Sequence, residues 1–412
     1  YTSSAFRSYD VWYANYKWIA NVNYIIDAEP EMAGTEADVA YVAGQAYAIR
    51  ALCYLNLATW FSRAPYNSRT GASRWNGPCV PVYTTGTSID TGGQPRESLR
   101  TVYGRIDQDI DRAIELLEKA RETTLAENNK SHINLYVALG IKSRACLAEG
   151  DWDGAFKAAK RVIDEGGYPG GTKSDLTGGM NSLDKQNVMW GAGIQVADQA
   201  GGYAGFFTHM DNKEGAYAKS APKLISKQLY NRISATDIRR DWWDPSDKES
   251  PYVSKKFSFA NVASFLGDYI YMRVEEMYFT AAEAALRLDD LKSARELMNT
   301  VMAERDPGYS ANNRSGTLLG ATTTTWTGSF LENILTHRRI ELWGEYGRLF
   351  DVRRLGQGID RRTDDGFSEE CISMMNRRNV NITKADTYDW VLTIPKAELD
   401  ANPNINEEDQ NP

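Results

Sequence analysis

Apolar side chains recur at helical spacing from the start of the chain. Trp12, Tyr16, Ile19 and Ile26 fall near one face, and Pro30 closes the run. A second helical pattern spans about Glu36 to Phe61, with Ala40, Ala43, Gly44, Ala48 and Ala51 set among Tyr47, Leu52 and Leu55. Small residues let helix backbones approach closely, as stacked helix pairs require. Residues Ser62 to Gln94 break the pattern: Pro65, Gly71, Gly77, Pro78, Pro81, Gly86, Gly92 and Gly93 mark a long loop holding Trp75 and Tyr83. Loops of that length in compact proteins tend to be functional or disordered. Helical spacing resumes at about Ser98, with Ile106, Ile110, Ala113, Ile114 and Leu117 on one stripe, and again over Ile133 to Glu149.

An internal repeat sits on this pattern. Arg144–Glu165 aligns without a gap to Glu283–Glu304, at a constant offset of 139 residues. Ala145/Ala284, Leu147/Leu286, Asp151/Asp290, Ala155/Ala294, Val162/Val301 and Glu165/Glu304 match, and Trp152 pairs with Leu291. Each copy reads as helix, tight turn, helix. Such hairpins cannot bury their apolar faces alone and stack, as tetratricopeptide repeats do. Between the copies, Gly166 to about Gly267 is rich in Gly, Asn, Ser and scattered aromatics, with a short helix expected at about Pro222–Arg232. A second irregular stretch, Asp306 to Gly328, includes Trp326. The predicted fold is mostly α: a tetratricopeptide-type helical-hairpin superhelix with long aromatic-rich loop insertions. Residues 10–165 and 268–350 form the scaffold, 166–267 an inserted ligand-binding part and 351–412 a closing segment, all within one unit over 1–412.

Composition narrows the function. The 412 residues carry 47 Lys and Arg against 55 Asp and Glu, a net charge of −8, so no basic nucleic-acid footprint exists. Only His132, His209 and His337 are available for histidine chemistry. Cys53, Cys79, Cys146 and Cys371 show no CxxC spacing, and Cys53 and Cys146 read as small buried residues. No apolar run approaches the ~18 residues of a membrane helix. Gly166–Ser174 resembles a phosphate-binding loop but places Thr172 before the lysine and follows a helix, so it is set aside. HExxH and GxSxG are absent.

The run His337–Arg354 alternates charge densely. Arg338 and Glu341, and Glu341 and Glu345, are helix-face neighbours, which predicts an ion-pair network bracing the last helix rather than an anion site. The 11 Trp, 23 Tyr and 12 Phe are harder to absorb in a core. A sugar ring has an apolar C–H face and a polar rim, so Trp and Tyr offer it a flat partner with a hydrogen-bonding handle. Trp242-Trp243, flanked by Asp241 and Asp244, and Trp75, between Arg74 and Asn76, set aromatic faces beside polar groups in the manner of a small-ligand site.

Four stretches resemble the SusD/RagB-like family of outer-membrane glycan-uptake lipoproteins. WYANYKWIANVNYII (Trp12–Ile26) is similar to its early W-x3-Y helix, and GQAYAIRALCY (Gly44–Tyr54) to its G-x-A-x3-R-A-x2-Y helix. YMRVEEMYFTAAEAA (Tyr271–Ala285) resembles a third segment, with Val274 where the family usually has a small residue. RRIELWGEYGRLFDVRR (Arg338–Arg354) and the tail Ile394-Pro395-Lys396-Ala397-Glu398, Asn402-Pro403 and Gln410-Asn411-Pro412 match its closing segment.

The resemblance covers nearly the whole chain. It implies four tetratricopeptide units beside a loop-rich binding part, a cell-surface lipoprotein on the outer membrane, and delivery of oligosaccharides to a SusC-like TonB-dependent transporter. No catalysis, cofactor or nucleic-acid partner is expected. The family's lipid-bearing Cys precedes the W-x3-Y helix, so an N-terminal anchor is inferred. Ligand contacts are sought among aromatics near the early helix and in the loops: Tyr1, Phe6, Tyr9, Trp75, Trp242 and Trp243. Other readings are a peptide receptor on the same scaffold, a glycoside hydrolase, and a structural lid whose aromatics are all core. No metal site is expected. Calcium stays open, because Asp241/Asp244 and Asp364/Asp365 each supply too few oxygens alone.

Overall fold

Helices dominate the computed structural model, which describes residues 6–125, 129–198, 205–314, 328–359 and 387–412. Two compact units divide the chain: Tyr1–Ala158 with Leu349–Gln357 and Lys384–Pro412, and Ala159–Arg348 with Gly358–Thr383.

In the first unit, α1 (Phe6–Ala28) buries Trp12, Ile19 and Val22, three to seven residues apart on one face, and stops at the 3-10 turn that contains Pro30. α2 (Glu36–Phe61) starts where the Thr35 side chain accepts from the Asp38 amide. Its small residues allow close packing on α3 (Leu99–Lys119): a Cβ on Gly44 would lie 2.9 Å from Leu117 Cγ. Arg50 ties three elements together. Its guanidinium donates to both Asp109 oxygens at 2.7 and 2.8 Å, to Asn23 Oδ1 at 2.7 Å and to the Thr84 carbonyl at 2.8 Å.

The first copy of the sequence repeat begins within α4 (Leu135–Glu149) and ends with α5 (Trp152–Glu165). Gly150 turns the chain at φ 79°, and Asp151 Oδ1 accepts from the Gly154 amide at 3.0 Å. The C-terminal tail closes this unit. Asn411 Nδ2 donates to the Phe61 and Leu392 carbonyls, both at 2.8 Å, and Gln410 exchanges two hydrogen bonds with the Ile394 backbone.

The second unit contains the other copy, α10 (Val274–Arg287) and α11 (Leu291–Met302), followed by α12 (Phe330–Glu341). Asp289 takes φ 63° where Gly150 stands in the first copy, and Asp290 caps α11 by accepting from Ser293. Four short helices precede them: α6 (Lys173–Thr177), α7 (Phe206–Met210), α8 (Ala216–Ser220) and α9 (Lys227–Tyr230). Val188–Ala192 pairs antiparallel with Tyr269–Arg273, which runs straight into α10. The stretch between the repeat copies packs a core together with this frame. Leu176, Phe207, Ile225, Leu229, Trp242, Trp243 and Phe257 pack with Ile340 of α12.

A buried ion network braces this unit. Glu341 accepts from Arg239 at 3.0 Å, Arg273 at 3.0 Å and Arg305 at 3.2 Å, all at most 1% exposed. Burial alone would raise the Glu341 carboxyl, but Arg305, Arg273 and Arg239 outweigh it and hold it well below the usual range. The network expected around Arg338–Arg354 therefore exists. Glu341 and Glu345 meet cations from distant segments, however, whereas Asp351 pairs with its helix-face neighbour Arg354 at 2.7 Å.

Candidate ligand-binding site

The long loop after α2 is fixed by side chains of the first unit. Tyr16 donates to the Pro81 carbonyl at 2.8 Å, Asn23 to the Tyr83 and Thr85 carbonyls, and Tyr54 both donates to and accepts from the Tyr83 backbone. Burial first, and then neighbouring acidic groups, push the Tyr16 phenol well above its ordinary pKa, so it stays a hydrogen-bond donor.

Within this loop a small hairpin, Tyr66–Asn67 against Ala72–Ser73, turns at Gly71 with φ 70°. The Arg74 amide donates to Pro65, and the Arg100 amide to the Trp75 carbonyl, both at 2.8 Å. Trp75 is thereby held against the first turns of α3, its ring edge-on to Tyr103 at 5.6 Å. It lines a cleft of 340 Å³ together with Arg63, Arg74, Asn76, Arg100 and Tyr388. The Arg100 guanidinium lies 5.8 Å from the Trp75 ring centroid, and Arg63 lies 5.5 Å from that of Tyr388. Trp75 is half-buried, so its ring is anchored but reachable.

A second groove, of 440 Å³, runs along α1 and is lined by Tyr13, Tyr16, Lys17, Tyr83, Ser88 and Glu398 among others. Tyr9 is 43% exposed and stacks on Tyr13 with centroids 5.5 Å apart. Tyr9 thus stacks on a residue of this groove, Tyr13, and does not line the Trp75 cleft. Phe6 lies in the first turn of α1, and its side chain falls outside the described residues, as do Tyr1, Trp326, Asp364, Asp365 and Cys371.

Trp242 and Trp243 require a correction. They are 2% and 1% exposed, at the heart of the second unit's core. Trp242 Nε1 donates to the Leu176 carbonyl at 2.7 Å, and the Lys256 ammonium sits 4.5 Å from a Trp242 ring centroid. Trp243 packs edge-on to Trp343 at 5.8 Å. A segment with few long helices must bury its own large side chains to be stable, and these two indoles are what it buries. Trp243 borders a 440 Å³ polar cleft with Asp237, Arg240 and Asp241, but it offers no open face there. Sequence reasoning passed over Arg63, Arg100 and Tyr388. Only Arg100, at the start of a helix beside the loop, gave a local signal.

A mostly helical chain with half-open aromatic clefts is a ligand-binding architecture. Residues 211–412 match the SusD family model, and residues 1–147 match a model described as starch-binding and associating with the outer membrane. The chain belongs to the SusD/RagB-like family. Among solved structures it is similar to a SusD-like carbohydrate-binding protein from Bacteroides vulgatus, at 26% identity and TM-score 0.75, covering 97% of this chain and 83% of that one. A SusD superfamily protein from Bacteroides thetaiotaomicron matches at 22% identity and TM-score 0.75, covering 97% and 85%. Surface glycan-binding protein A from Bacteroides uniformis shares the fold at 18% identity and TM-score 0.66, covering 98% and 84%. No curated protein matches the chain.

Proposed function

We propose that this protein binds oligosaccharides at the outer cell surface and passes them, uncleaved, to a SusC-like TonB-dependent transporter, with the Trp75 cleft as a ligand site. The carrying observation is the half-buried Trp75 ring, fixed by Tyr103 and the start of α3, on a cleft with a polar rim. An anchored indole presents an apolar face to sugar C–H groups at little entropic cost, while Asn76 and the arginines reach ring hydroxyls. A volume of 340 Å³ lies at the small end of the ~300–1,000 Å³ range of ligand sites, which suits a chain end or a short stretch of glycan. The family models support the outer-membrane placement and the binding role.

Calorimetric titration against plant, host-mucin and microbial oligosaccharides tests the reading, with the recovered ligand weighed by mass spectrometry. Binding of at least one intact glycan is expected. Cleavage products would refute the uncleaved hand-over, and binding of peptides in place of glycans would move the chain to peptide capture.

A further inference from the structure

The charge on the Trp75 cleft is out of step with the rest of the molecule. The chain carries a net charge of −8. Yet the cleft is lined by three guanidinium groups, those of Arg63, Arg74 and Arg100, and by no carboxylate among the described residues. Several buried arginines of this protein are matched to acids: Arg50 to Asp109, Arg239 to Asp237 and Glu341, Arg273 to Glu275 and Glu345. Arg100 is different. It forms no ion pair among the described residues, and the Trp75 ring is its neighbour.

That arrangement has a chemical consequence. A guanidinium over an aromatic face uses its π surface and leaves its in-plane N–H groups available for a bidentate acceptor. Carboxylate and sulfate oxygens fit that fork, and charge-assisted hydrogen bonds are roughly twice as strong as neutral ones. Arg100 also sits on the first turn of α3, where the positive end of a 21-residue helix adds to the local potential. A neutral sugar presents hydroxyl donors as well as acceptors, and this lining holds no charged acceptor to receive them.

Building on the glycan reading above, we propose that the Trp75 cleft selects saccharides carrying an anionic group, a carboxylate or a sulfate, on or beside the ring that stacks at Trp75. The indole takes the C–H face of that ring, and the arginine forks take the charge.

The test uses matched pairs titrated against the whole chain: oligogalacturonates with their methyl esters, and a sulfated galactan oligosaccharide with its desulfated counterpart. The charged member of at least one pair should bind about tenfold tighter or better. Its advantage should shrink as salt rises from about 0.05 to 0.5 M. Arg100→Gln, at an exposed position, should bring the ratio of charged to neutral affinity close to one, and Arg63→Gln should lower it. The pair that responds distinguishes carboxylate from sulfate. Equal or tighter binding of the neutral members, lost in Trp75→Ala, would overturn the charge selectivity while leaving the glycan site intact. A charge preference that survives both arginine variants would also overturn it. Silence from both pairs, with neutral glycans of other classes bound, would overturn the selectivity; silence from every glycan would overturn the binding reading with it.

Discussion

Replacing Glu341 by Gln tests how the second unit is held together. The cluster comprises Arg239, Arg273, Arg305 and Lys256 against Asp237, Glu275, Glu341 and Glu345, so its formal charges cancel. Glu341 alone is shared by three guanidinium groups, each at 3.0–3.2 Å, and its side chain is 0% exposed. His337 gives no help, because burial and then Arg239 hold its pKa well below the ordinary value and its ring stays neutral. Removing the carboxylate leaves one uncompensated cation in a dry site, a change that costs about 3–5 kcal/mol in comparable buried pairs. The amide keeps an acceptor, so Gln should fall toward the lower figure and Ala toward the upper.

The sign with pH follows from the depressed carboxyl. The stabilisation is complete above the unfolded value, about 4.3, and is lost as pH falls through the lower folded value. Urea denaturation followed by tryptophan fluorescence at pH 7 and again near pH 4 measures both effects. Glu115→Gln, on an exposed pair, serves as a nearly silent control. A loss below about 1 kcal/mol for Glu341→Gln would refute the claim that the cluster is dry and mutually dependent.

Two further outcomes follow from particular atoms. Trp242→Phe should cost about 1 kcal/mol more than Trp243→Phe in denaturant unfolding, because Trp242 Nε1 bonds the Leu176 carbonyl whereas Trp243 Nε1 has no partner among the described residues. Equal costs would contradict that placement of the two indoles. In the first unit, burial first and then Asp107 and Asp151 push the Glu149 carboxyl up to about 9, and burial pushes Asp107 up to about 6. These two titrate as a pair. A raised carboxyl stabilises below its unfolded value, and the contribution drains away as pH climbs toward the folded one. Stability should therefore decline between pH 6 and 8, where Glu149 carries the difference, by up to about 1.4 kcal/mol per unit, and Glu149→Gln should flatten the decline. An unchanged slope in the variant would count against the pair.

Much of the scaffold could be read from residue spacing because the forces that set it are local. The Glu36–Phe61 helix was legible from its run of small and large apolar residues and the breakers after Ser62, and the structure adds the Thr35 side chain that caps its start. The repeat showed itself because Asp151 and Asp290 each cap a helix after a left-handed turn residue. The tail residues Gln410 and Asn411 stood out as motif letters, and the structure gives them their work on the Phe61, Leu392 and Ile394 backbone.

The site was less legible. Trp75 and Trp242 look alike in sequence, each an indole beside polar neighbours. What separates them is remote: Leu176, Phe257 and Lys256 enclose Trp242, whereas Trp75, held by Tyr103 and Arg100, stays half-buried. Tyr388 reaches the Trp75 cleft from the far end of the chain, and no local pattern announces it.

Trp75 is the residue on which the proposed ligand site depends most directly. With whichever oligosaccharide binds, calorimetric titration of Trp75→Ala should show affinity reduced by about 1–3 kcal/mol, roughly five- to 150-fold, with the fold intact by circular dichroism. Unchanged affinity in a folded Trp75→Ala protein would contradict the account and place the ligand elsewhere.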